Sequence, residues 1–353
     1  MRLRLVGLAV ALAAAGVLLV LTPHGSSAPA GPAQPRTVEQ VWPEAARADV
    51  DGNLPDGPAY SPLFFLDARA SLGTAPDPGG SMQRLVLRGA DGAVRELRRL
   101  PADSTPQFAG FVRAGDEVAW AESVTDEDGA AHTRLWAANV VSGGAPRQLT
   151  ADTGDVVFFN SQYDLVTSDG RLYWVAVAPS KSEATEIRSV PLAGGAVTVR
   201  TEPGSWALSG WPWLVSAGSG QTGPVQLLNL DTRQVYTVDA APTELATCGP
   251  AWCRVLVLAG DGPSRIDLMR PDGSDRQQVA GGAATASVID VALEDRFEVL
   301  SVSETATQLL LYDLKKKQTV VVADGVGMVL SRGGVLWWST QDTWHSLDLR
   351  TLP

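Results

Sequence analysis

Two cysteines, three histidines and a few acidic turns are the side chains of this chain whose type and spacing could support chemistry. Cys248 and Cys253, in TCGPAWC, flank the turn formers Gly249 and Pro250. With Pro250 and Ala251 at the tip, the two thiols face each other across a hairpin, and in an oxidising compartment such a pair closes a disulfide. A redox dithiol would call for Cys-x-x-Cys spacing, and a metal site for two further soft ligands. The histidines offer neither a ligand set nor a general base. His24 lies near the start, His132 follows a polar turn and His345 precedes an apolar run, and none stands beside a nucleophile motif.

The acidic turns carry a weaker signal. Asp49, Asp51 and Asn53, followed by Asp56, place oxygen donors at calcium-like spacing, which makes Asp49, Asp51 and Asn53 candidate calcium ligands. The sixth-position glycine and distal bidentate glutamate of an EF-hand loop are missing. Asp126, Glu127 and Asp128 before Gly129 read as a solvated turn. Thr167-Ser168-Asp169-Gly170-Arg171-Leu172-Tyr173-Trp174 is similar to the Asp-box turn of sialidases, but its glycine comes one place early, so a hairpin turn is the better account. With no phosphate loop, dinucleotide fingerprint or haem attachment sequence, no cofactor is expected and no catalytic residue is assigned. Carboxylates brought together at the axis of a ring would escape any argument from spacing along the chain.

The elements that must hold these residues are strands. Hydrophobic residues make up 45% and charged residues 19% of the 353 residues, enough for a core and too apolar for a disordered chain. Glycine (35) and proline (23), with no long run at helical spacing, point to many turns. Eleven tryptophans fall almost entirely inside apolar strand-like runs and read as packing pieces. The formal charge is -11; the first thirty residues hold two arginines and no acid, so a chain trimmed there carries -11 - 2 = -13. Such a surface repels phosphate backbones, which excludes nucleic acid as a partner. Lys315, Lys316 and Lys317 follow Leu314 at a turn and read as a solvated hairpin tip.

Residues 1–30 read as a targeting segment. Arg2 and Arg4 precede an uncharged apolar run from Leu5 to Thr22, and Ala28-Pro29-Ala30 supplies small residues for cleavage. The run also approaches the ~20 residues that span a bilayer, so this is a signal peptide or an uncleaved membrane anchor. No second hydrophobic span follows, which places the rest outside the cytoplasm, secreted or anchored. Residues 31–35 continue a stretch rich in proline, alanine and glycine and form a flexible tether. Residues 36–353 form the folded domain.

That domain repeats one layout: an inner strand, a turn, and further strands separated by glycine or acidic turns. The clearest copy runs from Phe111 to Thr150. Others follow from Leu63, Tyr163, Trp206, Thr243, Ser287 and Met328. Second strands starting near Phe64, Val118, Leu172, Trp213, Cys253, Phe297 and Val335 are spaced around the ~40 to 45 residues of a propeller blade. Several carry apolar residues at both parities, as in Val335-Leu336-Trp337-Trp338, the pattern of a strand covered on both faces. The fold class is therefore all-β, a seven-bladed β-propeller of four-stranded blades, with six or eight blades as alternatives and a two-sheet sandwich ranked below. The last copy is one strand short. Arg36 to Trp42, RTVEQVW, alternates and lacks a neighbour, so it is expected to complete the last blade and close the ring, while Ala45 to Tyr60 is expected to be a loop.

The export signal, tether and seven turn-Gly-strand-Trp units, with turns such as Thr167-Ser168-Asp169-Gly170 and Arg270-Pro271-Asp272-Gly273, resemble the TolB-like or WD40-like exported propellers of bacterial envelopes, in particular those of high-GC Gram-positive (actinobacterial) type. The resemblance covers residues 36–353 and implies a monomeric scaffold that binds envelope or extracellular proteins, with no catalytic residues to carry over. A ligand-binding sensor propeller, or an extracellular hydrolase or lyase using axial carboxylates, are the alternatives.

Overall fold

The computed structural model describes residues 35–179, 183–217, 224–260, 262–303 and 305–353. The targeting segment, with His24, and nearly all of the tether lie outside the described residues. From Arg36 onward the chain forms seven four-stranded antiparallel blades arranged as a β-propeller. Blade 1 holds Ser61–Phe65, Ser71–Pro76, Met82–Arg88 and Val94–Pro101; blade 2 holds Gln107–Ala114, Glu117–Thr125, Ala131–Asn139 and Arg147–Thr150. Blade 3 spans Asp155–Val156 to Thr198–Pro203, blade 4 Trp206–Leu208 to Val235–Val238, and blade 5 Glu244–Cys248 to Gln277–Gly281. Blade 6 runs from Ala284–Ala286 to Gln318–Asp324. Blade 7 consists of Val329–Arg332, Val335–Thr340, Thr343–Asp348 and the N-terminal strand β1, Arg47–Asp51.

Each sheet is covered by its neighbours. Val118 and Trp120 of the strand Glu117–Thr125 pack with Phe64, Leu72 and Leu85 of blade 1. Ala119 and Ala121 of the same strand pack with Leu165, Leu172 and Trp174 of blade 3. Opposite parities therefore face opposite neighbours, which is why both are apolar. Trp42, Trp120, Trp174 and Trp337 are among the largest fully buried side chains, so these four are packing pieces. Cys248 and Cys253 are paired in register across the blade 5 hairpin and joined by a disulfide, their Cα atoms 4.0 Å apart.

The ring closes as a splice between the two ends of the domain, but through a different segment from the one expected. β1 pairs antiparallel with Thr343–Asp348, from Arg47 opposite Leu347 to Asp51 opposite Thr343. Residues 45–60 are thus not simply a loop. As an outermost strand, β1 buries only Val50, so RADVD lacks the alternation that marks a covered strand. Residues 36–42 instead form a short helix α1, Val38–Val41, entered by a capping box in which the Gln40 side chain accepts the Thr37 N–H at 3.0 Å. Val38, Val41 and Trp42 stand at helical spacing, and the first and last are buried against Leu309, Val320 and Leu336 of blades 6 and 7. Arg36 to Trp42 is therefore a wedge between blades 6 and 7, tied to the strand Gln318–Asp324 by a bridge from Thr37 to Val321 and by Arg36 Nη2 donating to Gln318 Oε1 at 3.1 Å.

Two further boundaries differ. Phe64 belongs to the inner strand of blade 1, and the second strand is Ser71–Pro76; its small residues and proline hide it. In blades 3 and 6 the inner strand is interrupted or short, and the residues expected to continue it turn toward the axis, with consequences for the site.

Candidate functional site

Blade 3 builds its innermost strand from two pieces, Asp155–Val156 and Val166–Ser168, which pair with opposite ends of Arg171–Val177. Residues 157–165 between them leave the sheet. Blade 6 does something similar: Ala284–Ala286 is followed by residues 287–296 before Phe297–Ser303 begins. The two excursions meet. Ser161 Oγ donates to Asp290 Oδ1 at 2.6 Å, and the Gln162 N–H donates to Asp290 Oδ2 at 3.0 Å. Blades 3 and 6 are three places apart in a seven-membered ring, so this contact bridges the axis.

The bridge is held from both sides. Asp164, itself buried, accepts the Phe159 N–H at 2.8 Å and so curls the blade 3 excursion. On the blade 6 side, Arg254 of blade 5 forms a buried ion pair with Glu298 and donates to the Asp290 carbonyl at 2.7 Å. Glu298 also accepts the Ala292 N–H at 2.9 Å. Ala292, Glu294 and Asp295 all have positive φ (48°, 54° and 52°), a concentration of left-handed non-glycine backbone that this network holds in place.

Burial shifts the ionisable groups here. Asp164 is pushed up to about 6, and the Asp290 carboxyl is also raised, in both cases by desolvation; Arg332 is pushed down by the same cause. Between the ordinary value of 3.8 and about 6, the folded protein retains on Asp164 a proton that the unfolded chain has released. This group therefore adds stability as pH falls from 7 to 5, by about 1.4 kcal/mol. Asp164→Asn is expected to remove that increment. Urea unfolding of both proteins at pH 5 and pH 7 measures it, and an unchanged pH dependence in the variant would contradict the assignment.

Above the bridge, on the face carrying the turns of the inner hairpins, lies a funnel of about 700 Å3. Phe64 of blade 1, Phe111 and Arg113 of blade 2, Tyr163 and Ser168 of blade 3, Trp211 of blade 4 and Arg332 of blade 7 line it, with Arg350 from the C-terminal turn. Among the described residues three guanidinium groups and no carboxylate face this space, in a chain whose net charge is -11. Trp211 stacks on Tyr173 with ring centroids 3.8 Å apart, and Phe64 stacks on Phe111 at 6.0 Å. A second cavity of about 350 Å3 lies beside the bridge, lined by Ser161, Tyr163, Ser209, Thr247 and Asp290.

The residues singled out from sequence sit elsewhere. Asp49 and Asp51 are on β1, and their carboxylates serve different partners: Asp49 Oδ1 is 2.7 Å from His345 Nδ1, while Asp51 accepts the Asn53 N–H at 2.9 Å. Asp56 is paired with Arg84 at 2.8 Å. Among the described residues no group of three or more histidine, cysteine, aspartate or glutamate side chains could hold a metal ion. His132 meets Asp126 within one turn, 2.8 Å away. His345 has a second contact, from Nε2 to Thr340 Oγ1, and stacks on Trp338 at 5.6 Å. Asp49, His345 and Thr340 line a cleft of about 510 Å3 along the seam.

Sequence reasoning missed Asp164, Asp290 and Arg332. A signal existed for Asp290: an acid inside the apolar run Val288-Ile289-Asp290-Val291-Ala292-Leu293 is tolerated in a core only when it is partnered.

Neither a protein-family model nor a curated protein matches the sequence. Solved structures do match. A puromycin-hydrolysing peptidase from Mycobacterium tuberculosis is similar with a TM-score of 0.52 at 14% identity, the match covering 82% of this chain and 51% of that one. A structure from a study of two prolyl endopeptidases gives 0.51 at 14% identity, covering 87% and 48%. TolB from Acinetobacter baumannii gives 0.41 at 9% identity, covering 71% and 63%. The chain spans about half the length of the two peptidase structures. At these identities the likeness is one of fold, and the fold it shares with them is the β-propeller.

Proposed function

We propose that this chain is a non-catalytic propeller scaffold, exported to a bacterial cell envelope by its first thirty residues, which holds a protein partner on the face where the inner-hairpin turns converge. The observation that carries this reading is the funnel. It is a concave space of about 700 Å3 to which five of the seven blades contribute, floored by a bridge that is pinned in place. Its aromatic walls and arginines have the composition of a recognition surface. Asp164 and Asp290 are bonded to the backbone of residues 157–165, which suits supports better than an acid and base acting on a substrate. Site-specific photocrosslinking in cell envelopes tests the proposal. A crosslinker at Asp169, in a turn on the funnel face, should capture one partner; the same group at Asp128, in a turn of blade 2 on the opposite face, should not. No capture from Asp169, or equal capture from both, contradicts it.

Hydrolysis at the seam is the second reading. The hydrogen-bonded series Asp49, His345 and Thr340 favours it, since an imidazole between a carboxylate and a hydroxyl is the arrangement that activates a hydroxyl. Hydrolysis of p-nitrophenyl acetate that is lost in His345→Ala would support this reading. Equal rates in the two proteins would leave the series as a clasp on the closing strand.

A further inference from the structure

The guanidinium groups of the funnel differ in what neutralises them. Arg350 is paired with Asp348, donating to both carboxylate oxygens at 2.8 and 2.7 Å. Arg113 donates to two backbone carbonyls, those of Gly115 at 2.8 Å and Leu66 at 3.1 Å, which bind the group without cancelling its charge. Arg332 is in no ion pair among the described residues. The charges acting on it are Asp164 and Asp290, whose carboxylates bond the backbone of the bridge and do not line the funnel. A half-buried guanidinium at the wall of a concave space, with no carboxylate in contact among the described residues, leaves its charge without a counter-ion there, a need that folding alone does not explain. It is met when an anion arrives, and a planar oxyanion matches the guanidinium fork.

The walls add a second requirement. Phe64, Tyr163 and Trp211 flank the arginines, so the group carrying the anion meets aromatic faces. A cavity of about 700 Å3 accommodates an aromatic acid or the last few residues of a peptide.

Deepening the reading above and resting on it, we infer that the funnel binds a carboxylate attached to an aromatic or apolar group, with Arg332 and Arg113 as the recognition residues. The carboxylate belongs either to the C-terminus of a partner chain or to a free small acid.

Calorimetric titration of the full chain tests this with four probes: hippurate, its neutral amide, a pentapeptide ending in phenylalanine with a free carboxylate, and the same peptide amidated. At least one of the two acids is expected to bind with a stoichiometry of one, and its amide at least tenfold more weakly. Binding by the peptide acid alone identifies a chain terminus as the source, and binding by hippurate identifies a small acid. Arg332→Gln and Arg113→Gln should each weaken the bound acid at least tenfold, with melting temperatures confirming that both variants fold. The inference is overturned if neither acid binds at millimolar concentration, if acid and amide bind alike, or if both variants bind as tightly as the parent. Position-dependent capture from Asp169 that survives Arg332→Gln removes the carboxylate while leaving the scaffold reading in place. Acid binding without such capture removes the scaffold and leaves the carboxylate site.

Discussion

A chain that starts at Gly52 is expected to lose cooperative unfolding and to aggregate. Residues 36–51 contribute Val38, Trp42 and Val50, which are 2%, 1% and 3% exposed; the first two are buried between blades 6 and 7, and Val50 between blade 7 and blade 1. Burying side chains of this kind stabilises by about 1.5 to 3 kcal/mol each. Their sum is comparable with the ~5 to 15 kcal/mol that keeps a whole domain folded. The deletion also frees the edge of Thr343–Asp348, five residues of unpaired ladder that would template association. Val50→Asp is the milder form of the same test. It sets a carboxylate among Tyr60, Phe65 and Trp337 while leaving the register intact. A loss of about 3 kcal/mol or more is expected in urea unfolding. If the shortened chain melts like the parent, the splice does not close the ring.

Arg254→Met should cost about 3 to 5 kcal/mol, because it strands Glu298, whose side chain is fully buried, without its counter-charge. The same guanidinium holds the Asp290 carbonyl, so the loss reaches the bridge as well as the blade 5 to blade 6 interface. Adding Glu298→Gln removes the stranded charge yet keeps an acceptor for the Ala292 N–H. The double variant is expected to recover at least half of the lost stability. Additive losses in a double-mutant cycle would mean that the two residues do not act as a pair.

Much of the architecture was legible because it rests on a local rule applied seven times. Val118-Ala119-Trp120-Ala121 is apolar at both parities because each parity faces a different neighbour, and that pattern is visible in any covered strand of a stacked blade. The Cys248 and Cys253 hairpin was legible for the same reason, since turn chemistry between two cysteines sets their register. Segments that contact no repeat partner were harder. β1 buries one residue in five, so its sequence reads as a polar loop, whereas α1 has apolar residues that suit either a strand or a helix over so short a span. Thr37 and Gln40 were the discriminating pair, a capping box lying inside what looked like alternation.

The site was less legible than the fold because it is assembled from residues more than a hundred positions apart. Ser161 and Asp290 meet only because two blades each release a segment from the inner strand, and no spacing rule anticipates that. Asp49 and Asp51 stood out by contrast for a local regularity, two residues apart, that in a strand puts both on one face as readily as it builds a cation loop. Arg332 and Arg113 look in sequence like any arginine next to a turn glycine. That neither is paired with a carboxylate among the described residues is visible only in three dimensions.

The claim on which the rest depends is that residues 157–165 span the axis and are fastened to Asp290. Hydrogen exchange of that segment in the parent and in Asp290→Ala tests it most directly. Slow exchange is predicted for Gln162 in the parent, rising about 10- to 100-fold in the variant as the bonds from the Gln162 N–H and the Ser161 hydroxyl to the buried Asp290 carboxylate are lost, with the blade amides unaffected. Fast exchange of the Gln162 amide already in the parent, or slow exchange unchanged by Asp290→Ala, would contradict the account.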